Sequence, residues 1–338
     1  MADMETIEGY EAITVIKTVL IGLMSIVGFL CNFLSFLILI RNKTSRNSYV
    51  YMAAYEILSN ACLLSLFFLW AMPFTLYNVP AALQRLNLLV GQTSLLFQES
   101  TVHSSLLIAI NRFVAVTYPA NYRHIFTGRR TTLLLFIIAI CSFLYSSVYL
   151  LDACNFYFDH IHSRWTFGNE VCSQELAFYV GMGYNGFIFV VISCIDIAVF
   201  LRLRVIAKKS KAVTGAHSTG MQNKWELKKE TRLFLQSLLS SSIYLATLVS
   251  FNLVTPLASG GFDAFLSSTI IPIIGHSTGG LVLVFFNPDI RRHLARVLGY
   301  LRISKDVSGI NTAPGRHQIF HISNKHRTSN ISAIGYFG

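Results

Sequence analysis

The chain has 338 residues, of which 53% are hydrophobic and only 13% charged, against about a quarter charged in a soluble domain. Most of it is therefore built to avoid water. Its formal net charge of +11 would suggest nucleic acid on a soluble protein, but the bases gather in gaps between long apolar runs, where they report membrane orientation and not nucleic-acid binding.

Residues 1–12 carry four acids and no Lys or Arg. They lack the basic start of a secretory signal and are expected to be a short tail outside the membrane. Seven runs follow that match the roughly 20 apolar residues a helix needs to cross a bilayer: about 13–40, 49–77, 88–116, 131–151, 176–201, 231–257 and 266–287. The expected fold is an all-α membrane protein, a seven-transmembrane helix bundle. Of the 27 Lys and Arg residues, 24 fall in the first, third and fifth gaps with their immediate flanks (Arg112 and Arg232) or after residue 288. Cytoplasmic loops retain such residues, so the N-terminus is expected outside and the C-terminus inside. Lys17, near the outer end of span one, is expected to snorkel toward the surface. Trp70, Tyr77, Tyr118 and Tyr122 sit at heights suited to interfacial anchoring. Pro73, Pro256 and Pro272 interrupt spans two, six and seven, and kinks of this kind leave a cavity within a bundle.

Polar residues inside the spans are the informative ones. In span one, Asn32 is an amide that lipid penalises unless another helix satisfies it, and Glu56 and Asn60 of span two compete as its partner. Glu99 and His103 stand four residues apart on span three and share a face; Glu99 lies about 20 Å up the helix from Arg112. Ionisable residues at such depth are functional candidates by default. With Gln92, Trp165, Tyr184 and His276 they form the set of candidate ligand contacts, helix packing being the competing reading for Glu99 and His103. Of six cysteines only Cys154 and Cys172 lie in a polar stretch, the second outer gap, which marks them as a disulfide pair on an oxidising side.

Two motif matches are rejected on context. Gly181 to Gly186 fits GxGxxG but opens a membrane span and has no preceding strand; Gly275 to Gly279 fits GxSxG but lies within a continuous apolar helix, with no strand-to-helix turn. The spans hold no HExxH, and residues 266–287 contain no Lys for a Schiff base. No enzyme, cofactor or metal is implied.

At the inner end of span three the sequence reads Ala109-Ile110-Asn111-Arg112-Phe113-Val114, then Tyr118-Pro119 and Tyr122-Arg123-His124-Ile125-Phe126-Thr127. This resembles the Asp-Arg-Tyr element of rhodopsin-like receptors. In its Asn-Arg-Phe form it is similar, more specifically, to the nematode serpentine receptor class x chemoreceptors. Cys154-x-Phe156-x-Phe158, Trp165-x-Phe167, Cys172 and the Lys229-Glu230 to Gln236 segment extend the likeness over about residues 20–298. The resemblance implies a G-protein-coupled chemosensory receptor in the plasma membrane, with a small environmental molecule as ligand and a heterotrimeric G protein as partner. Asn111, Arg112 and Phe113 would be its switch. A neuropeptide receptor of the same fold and a seven-helix transporter are the competing readings. Asn111 replaces the usual acid, so the resemblance supplies no restraint for the resting state. Asn287-Pro288 resembles the junction with a short amphipathic helix eight at 289–298, so the receptor domain runs over 13–298 and a polar cytoplasmic tail over 299–338.

Overall fold

Hydropathy and length together account for most of the architecture. In the computed structural model, which describes residues 2–41, 47–151, 153–213, 231, 235, 238–258, 261–286 and 291, six helices are long and apolar enough to cross a bilayer. They are Glu11–Arg41, Ser48–Leu76, Gly128–Leu150, Val171–Lys208, Leu238–Leu257 and Gly261–Phe285, corresponding to spans one, two, four, five, six and seven. Span three, Gln84–Thr117, is a 34-residue helix that is less apolar because it runs through the middle of the bundle: Glu99, His103, Asn111 and Arg112 are among its many buried polar side chains. Span four lies at the other extreme. Leu133, Phe136, Ile137, Phe143 and Leu144 are all exposed, an apolar outer face suited to lipid and costly in water.

Local chemistry sets the helix ends and bends. The Asn47 side chain accepts from Val50 N at 3.0 Å to open span two, and Thr127 caps span four in the same way. Each of the three span-breaking prolines is preceded by a five-residue π-helical segment: Phe67–Ala71 before Pro73, Ser250–Val254 before Pro256, and Leu266–Ile270 before Pro272. A proline ring clashes with the carbonyl four residues back. That residue (Leu69, Asn252 or Ser268) is the middle one of the π segment each time, so the wider turn gives the ring room. Hydroxyls bond to backbone carbonyls beside these breaks. Thr255 Oγ1 donates to Ser250 O at 3.0 Å, and Ser250 Oγ donates to Ser267 O at 2.7 Å, which ties span six to span seven. Span five has a longer π segment, Ala177–Tyr184. It contains Gly181 and Gly183 of the rejected GxGxxG match, while Gly186 lies in the α-helix that follows.

A two-stranded hairpin, β1 (Phe156–Asp159) and β2 (Arg164–Phe167), crosses one end of the bundle with Phe156 opposite Phe167 and Phe158 opposite Trp165. Cys154 is bonded to Cys172 at its base, with a Cα separation of 5.0 Å. The other end carries Arg112, about 31 Å along span three from Gly91.

Residues 2–12, which precede the apolar stretch of span one, are helical and continuous with it from Ala2. One expectation is corrected. Lys17 does not snorkel: it is buried, its Nζ 5.4 Å from the centre of the Phe265 ring, because span one packs that face against span seven. Asn287, Pro288 and, apart from Arg291, the helix eight expected at 289–298, together with the tail at 299–338, lie outside the described residues.

Candidate functional site

The hairpin is held from below by span three. Gly91 is the point of closest approach: a Cβ there would overlap the Phe156 carbonyl oxygen and come within 2.7 Å of its carbon. One turn nearer the helix start, Asn87 acts as a partner for β1. Its Nδ2 donates to Phe158 O at 3.0 Å, while its Oδ1 accepts from Phe158 N at 3.2 Å and from Trp70 Nε1 at 2.9 Å. Thr269 of span seven donates to Ser163 O in the hairpin turn at 2.9 Å. Ser163 has a φ of 54°.

Alternation along the strands then points Phe156, Phe158, Trp165 and Phe167 into the bundle. Trp165 stacks on Phe156 at 6.0 Å and meets Phe158 edge-on at 5.3 Å, and Phe67 of span two meets it edge-on at 6.0 Å. The hairpin is thus an aromatic roof. Beneath it lies a closed chamber of about 50 Å³, room for only a few water molecules. Its walls include Gln98, Asn185, Tyr244, Phe251 and His276. A second cavity, of about 420 Å³, lies between β2 and the facing ends of spans five and six and shares Trp165, Phe167, Phe251 and Asn252 with the chamber. These four side chains form the partition between vestibule and chamber, with the Phe167 and Phe251 rings edge-on at 6.2 Å.

Of the candidate ligand contacts, Trp165 and His276 line the chamber, while Gln92, Glu99, His103 and Tyr184 do not. Gln92 donates to Tyr149 O at 2.6 Å. His103 stands between Ser142 Oγ of span four at 3.0 Å and Tyr184 OH of span five at 2.7 Å, so Gln92 and His103 sit on faces of span three turned away from the chamber. Glu99 is completely buried and its Oε1 accepts from Asn185 Nδ2 at 2.9 Å. It is therefore one residue removed from the chamber, behind Asn185.

A polar column continues toward Arg112. His276 Nδ1 lies 2.8 Å from Asn60 Oδ1, which also accepts from Thr101 Oγ1 at 3.2 Å. Asn32 donates to His276 O at 3.1 Å, and the missing side chain of Gly279 leaves room for the Asn60 amide beside it. Asn60 is thereby the span-two residue in the Asn32 layer. Glu56 lies one turn further, accepting from Ser105 Oγ at 2.8 Å and within electrostatic reach of Arg112. Glu56, Asn60, Thr101 and His276 border a small cavity of about 60 Å³ that shares Gln98, Tyr244 and His276 with the chamber.

Arg112 is buried, donating to Tyr49 OH at 3.2 Å with its guanidinium 5.2 Å from the Tyr49 ring centre. Asn111 donates to Tyr122 OH at 3.3 Å, which fastens the short helix Pro119–Ile125 against span three. Tyr122, half-buried, is thus a packing partner of span three. Phe113 packs with Val116, Val199 and Leu203. Between spans five and six, Ser241 Oγ donates to the buried Asp196 Oδ2 at 2.9 Å.

Sequence reasoning missed Asn87, Tyr49, Asn185, Tyr244 and Asp196. Asp196 and Asn185 carried a usable signal, being polar residues inside an apolar run. The two tyrosines carried none, because aromatics are ordinary packing in a membrane helix.

Residues 23–287 match the family described as serpentine type 7TM GPCR chemoreceptor Srx. The chain is similar to serpentine receptor class X 45 of Caenorhabditis elegans, with 26% identity over 324 residues, covering 90% of this chain and 88% of that one. Its fold is similar to that of squid rhodopsin, with a TM-score of 0.69 at 12% identity over 86% of this chain and 87% of that chain. At such identity the second likeness speaks for the fold alone.

Proposed function

Because the chain belongs to the Srx family of serpentine seven-transmembrane chemoreceptors, we propose that a small molecule from outside the cell binds in the chamber beneath the hairpin and that the Arg112 end activates a heterotrimeric G protein. The observation that carries this reading is the polar column. Trp165, His276, Asn60 and Glu56 belong to one chain of contacts and shared cavities that descends from the roof, and Glu56 lies within electrostatic reach of Arg112 at the opposite end. A ligand that moves Trp165 or His276 biases every layer below it, which is how two sites acquire a coupling free energy.

In this reading the hairpin faces the exterior and the basic gaps face the cytoplasm, as the distribution of Lys and Arg requires. The chamber is too small for most odorants as it stands, and the larger cavity beside β2 is the vestibule from which a ligand parts Phe167 and Phe251 to enter. Asn111, Arg112 and Phe113 form the switch. The acid missing beside Arg112 is replaced by three restraints elsewhere: Tyr49 on Arg112, Tyr122 on Asn111, and the Asp196–Ser241 bond that holds span six to span five.

The test is Arg112→Ala in cells carrying a G-protein activation reporter. Surface expression is expected to persist, since the change removes one buried contact with Tyr49 near the end of span three and leaves the apolar packing in place, while basal and ligand-driven activation fall to background. Wild-type activation at matched surface level would overturn the switch role.

A further inference from the structure

Glu99 has more around it than helix packing explains. Its Oε2 has no partner in hydrogen-bonding geometry among the described residues, although the Tyr145 phenol is a second donor beside the carboxyl, and no described basic side chain pairs with it. Four phenols, those of Tyr145, Tyr149, Tyr184 and Tyr244, lie close enough to feel its charge. Asn185, whose amide nitrogen is bonded to the carboxyl, lines the chamber, and its Oδ1 is likewise buried without a partner among the described residues. On this side the chamber wall offers one acceptor without a partner among the described residues, Asn185 Oδ1, and the Glu99 carboxyl stands directly behind it. In the roof, Trp165 Nε1 is a buried donor without a partner among the described residues. Phe156, Phe167 and Phe251 stand between, and no Lys or Arg lines the chamber.

The chemistry of this arrangement is selective. A buried carboxylate without a counter-ion is strongly penalised, and a cation carrying its own N–H donors relieves that penalty and satisfies both acceptors. Tyrosine faces attract ammonium groups further. An anionic ligand would meet a carboxyl group and no base. Resting on the reading of the chamber as the ligand site, we infer that the ligand is a small amine whose ammonium group seats against Glu99 and Asn185, with an apolar or aromatic body between Phe156, Phe167 and Phe251. An acceptor at the far end of such a molecule would meet Trp165 Nε1. Entry requires Asn185 and the flanking tyrosines to give way, because Glu99 stands behind them.

The test uses the full chain in lipid nanodiscs and two probes of nearly equal shape, 2-phenylethylamine and 2-phenylethanol, with binding followed by thermal shift and titration. The amine is expected to bind roughly 30-fold or more tightly than the alcohol, the usual consequence of losing one partner of a buried charged pair. Glu99→Gln is expected to erase that preference. The comparison of probes on the unaltered chain stands even where the variant fails to fold. Equal affinities, no binding of the amine at millimolar concentration, or a preference that survives in folded Glu99→Gln would each overturn the inference. Phe251→Trp, which narrows the chamber, separates the two levels. Equal binding of both probes that Phe251→Trp abolishes leaves the chamber as the site and removes the amine as its ligand; binding that Phe251→Trp leaves intact removes both.

Discussion

Replacing Gly91 by alanine isolates the contact that seats the roof. In a helix interior alone, the exchange stabilises by about 1 kcal/mol. Here the added Cβ would overlap the Phe156 carbonyl oxygen and lie 2.7 Å from its carbon and 3.1 Å from the Tyr157 Cα, where ordinary contact begins at 3.4 Å. The obstacle is backbone, pinned by Asn87 through both the Phe158 N–H and carbonyl, so no flexible side chain can absorb the change. Overpacking of this kind costs about 1–3 kcal/mol; taking the upper end and subtracting the helix gain gives a net loss of about 2 kcal/mol. Gly186, in span five with nothing within 4 Å of a Cβ, is the control, and its alanine variant should match or exceed the wild type. Thermal denaturation of the receptor in nanodiscs reads both, and proteolysis at Arg164 reads displacement of the hairpin directly. A Gly91→Ala receptor as stable as the control, with an equally protected hairpin, would refute the proposed seating of the roof.

Two further outcomes are expected. Peptide mapping of non-reduced surface receptor should recover Cys154 and Cys172 as one linked species, and Cys154→Ser should destabilise the hairpin by about 3 kcal/mol, the loop-closure entropy for a separation of 18 residues; recovery of either as a free thiol from functional receptor contradicts the bond. An epitope at the N-terminus should label intact cells and one at the C-terminus only permeabilised cells, the reverse pattern overturning the orientation and with it the G-protein reading.

Much of the candidate site could be named from sequence, and its assembly could not. Asn32, Glu99, His276 and Arg112 stood out because a polar side chain in an apolar run needs a partner. The partners were not readable, since Asn32 and His276 are 244 residues apart and His276 and Asn60 are 216 apart. Rotation was equally hidden. Gln92 and His103 share span three with Gln98, yet only Gln98 reaches the chamber.

The sequence by itself determined the seven spans, the cysteine pair, the proline breaks and the serpentine-receptor likeness, because each rests on length, composition or local spacing that no distant contact alters. Only the tertiary structure decided that Asn60 and not Glu56 shares the layer of Asn32, that Lys17 turns inward onto Phe265, that Asn87 serves as a partner for β1, and that Glu99 stands behind Asn185. The physical reason is common to all four. In a bilayer the apolar residues cover every side of a helix, so periodicity no longer marks the inward face, and rotation is settled by whichever polar groups find each other across the bundle.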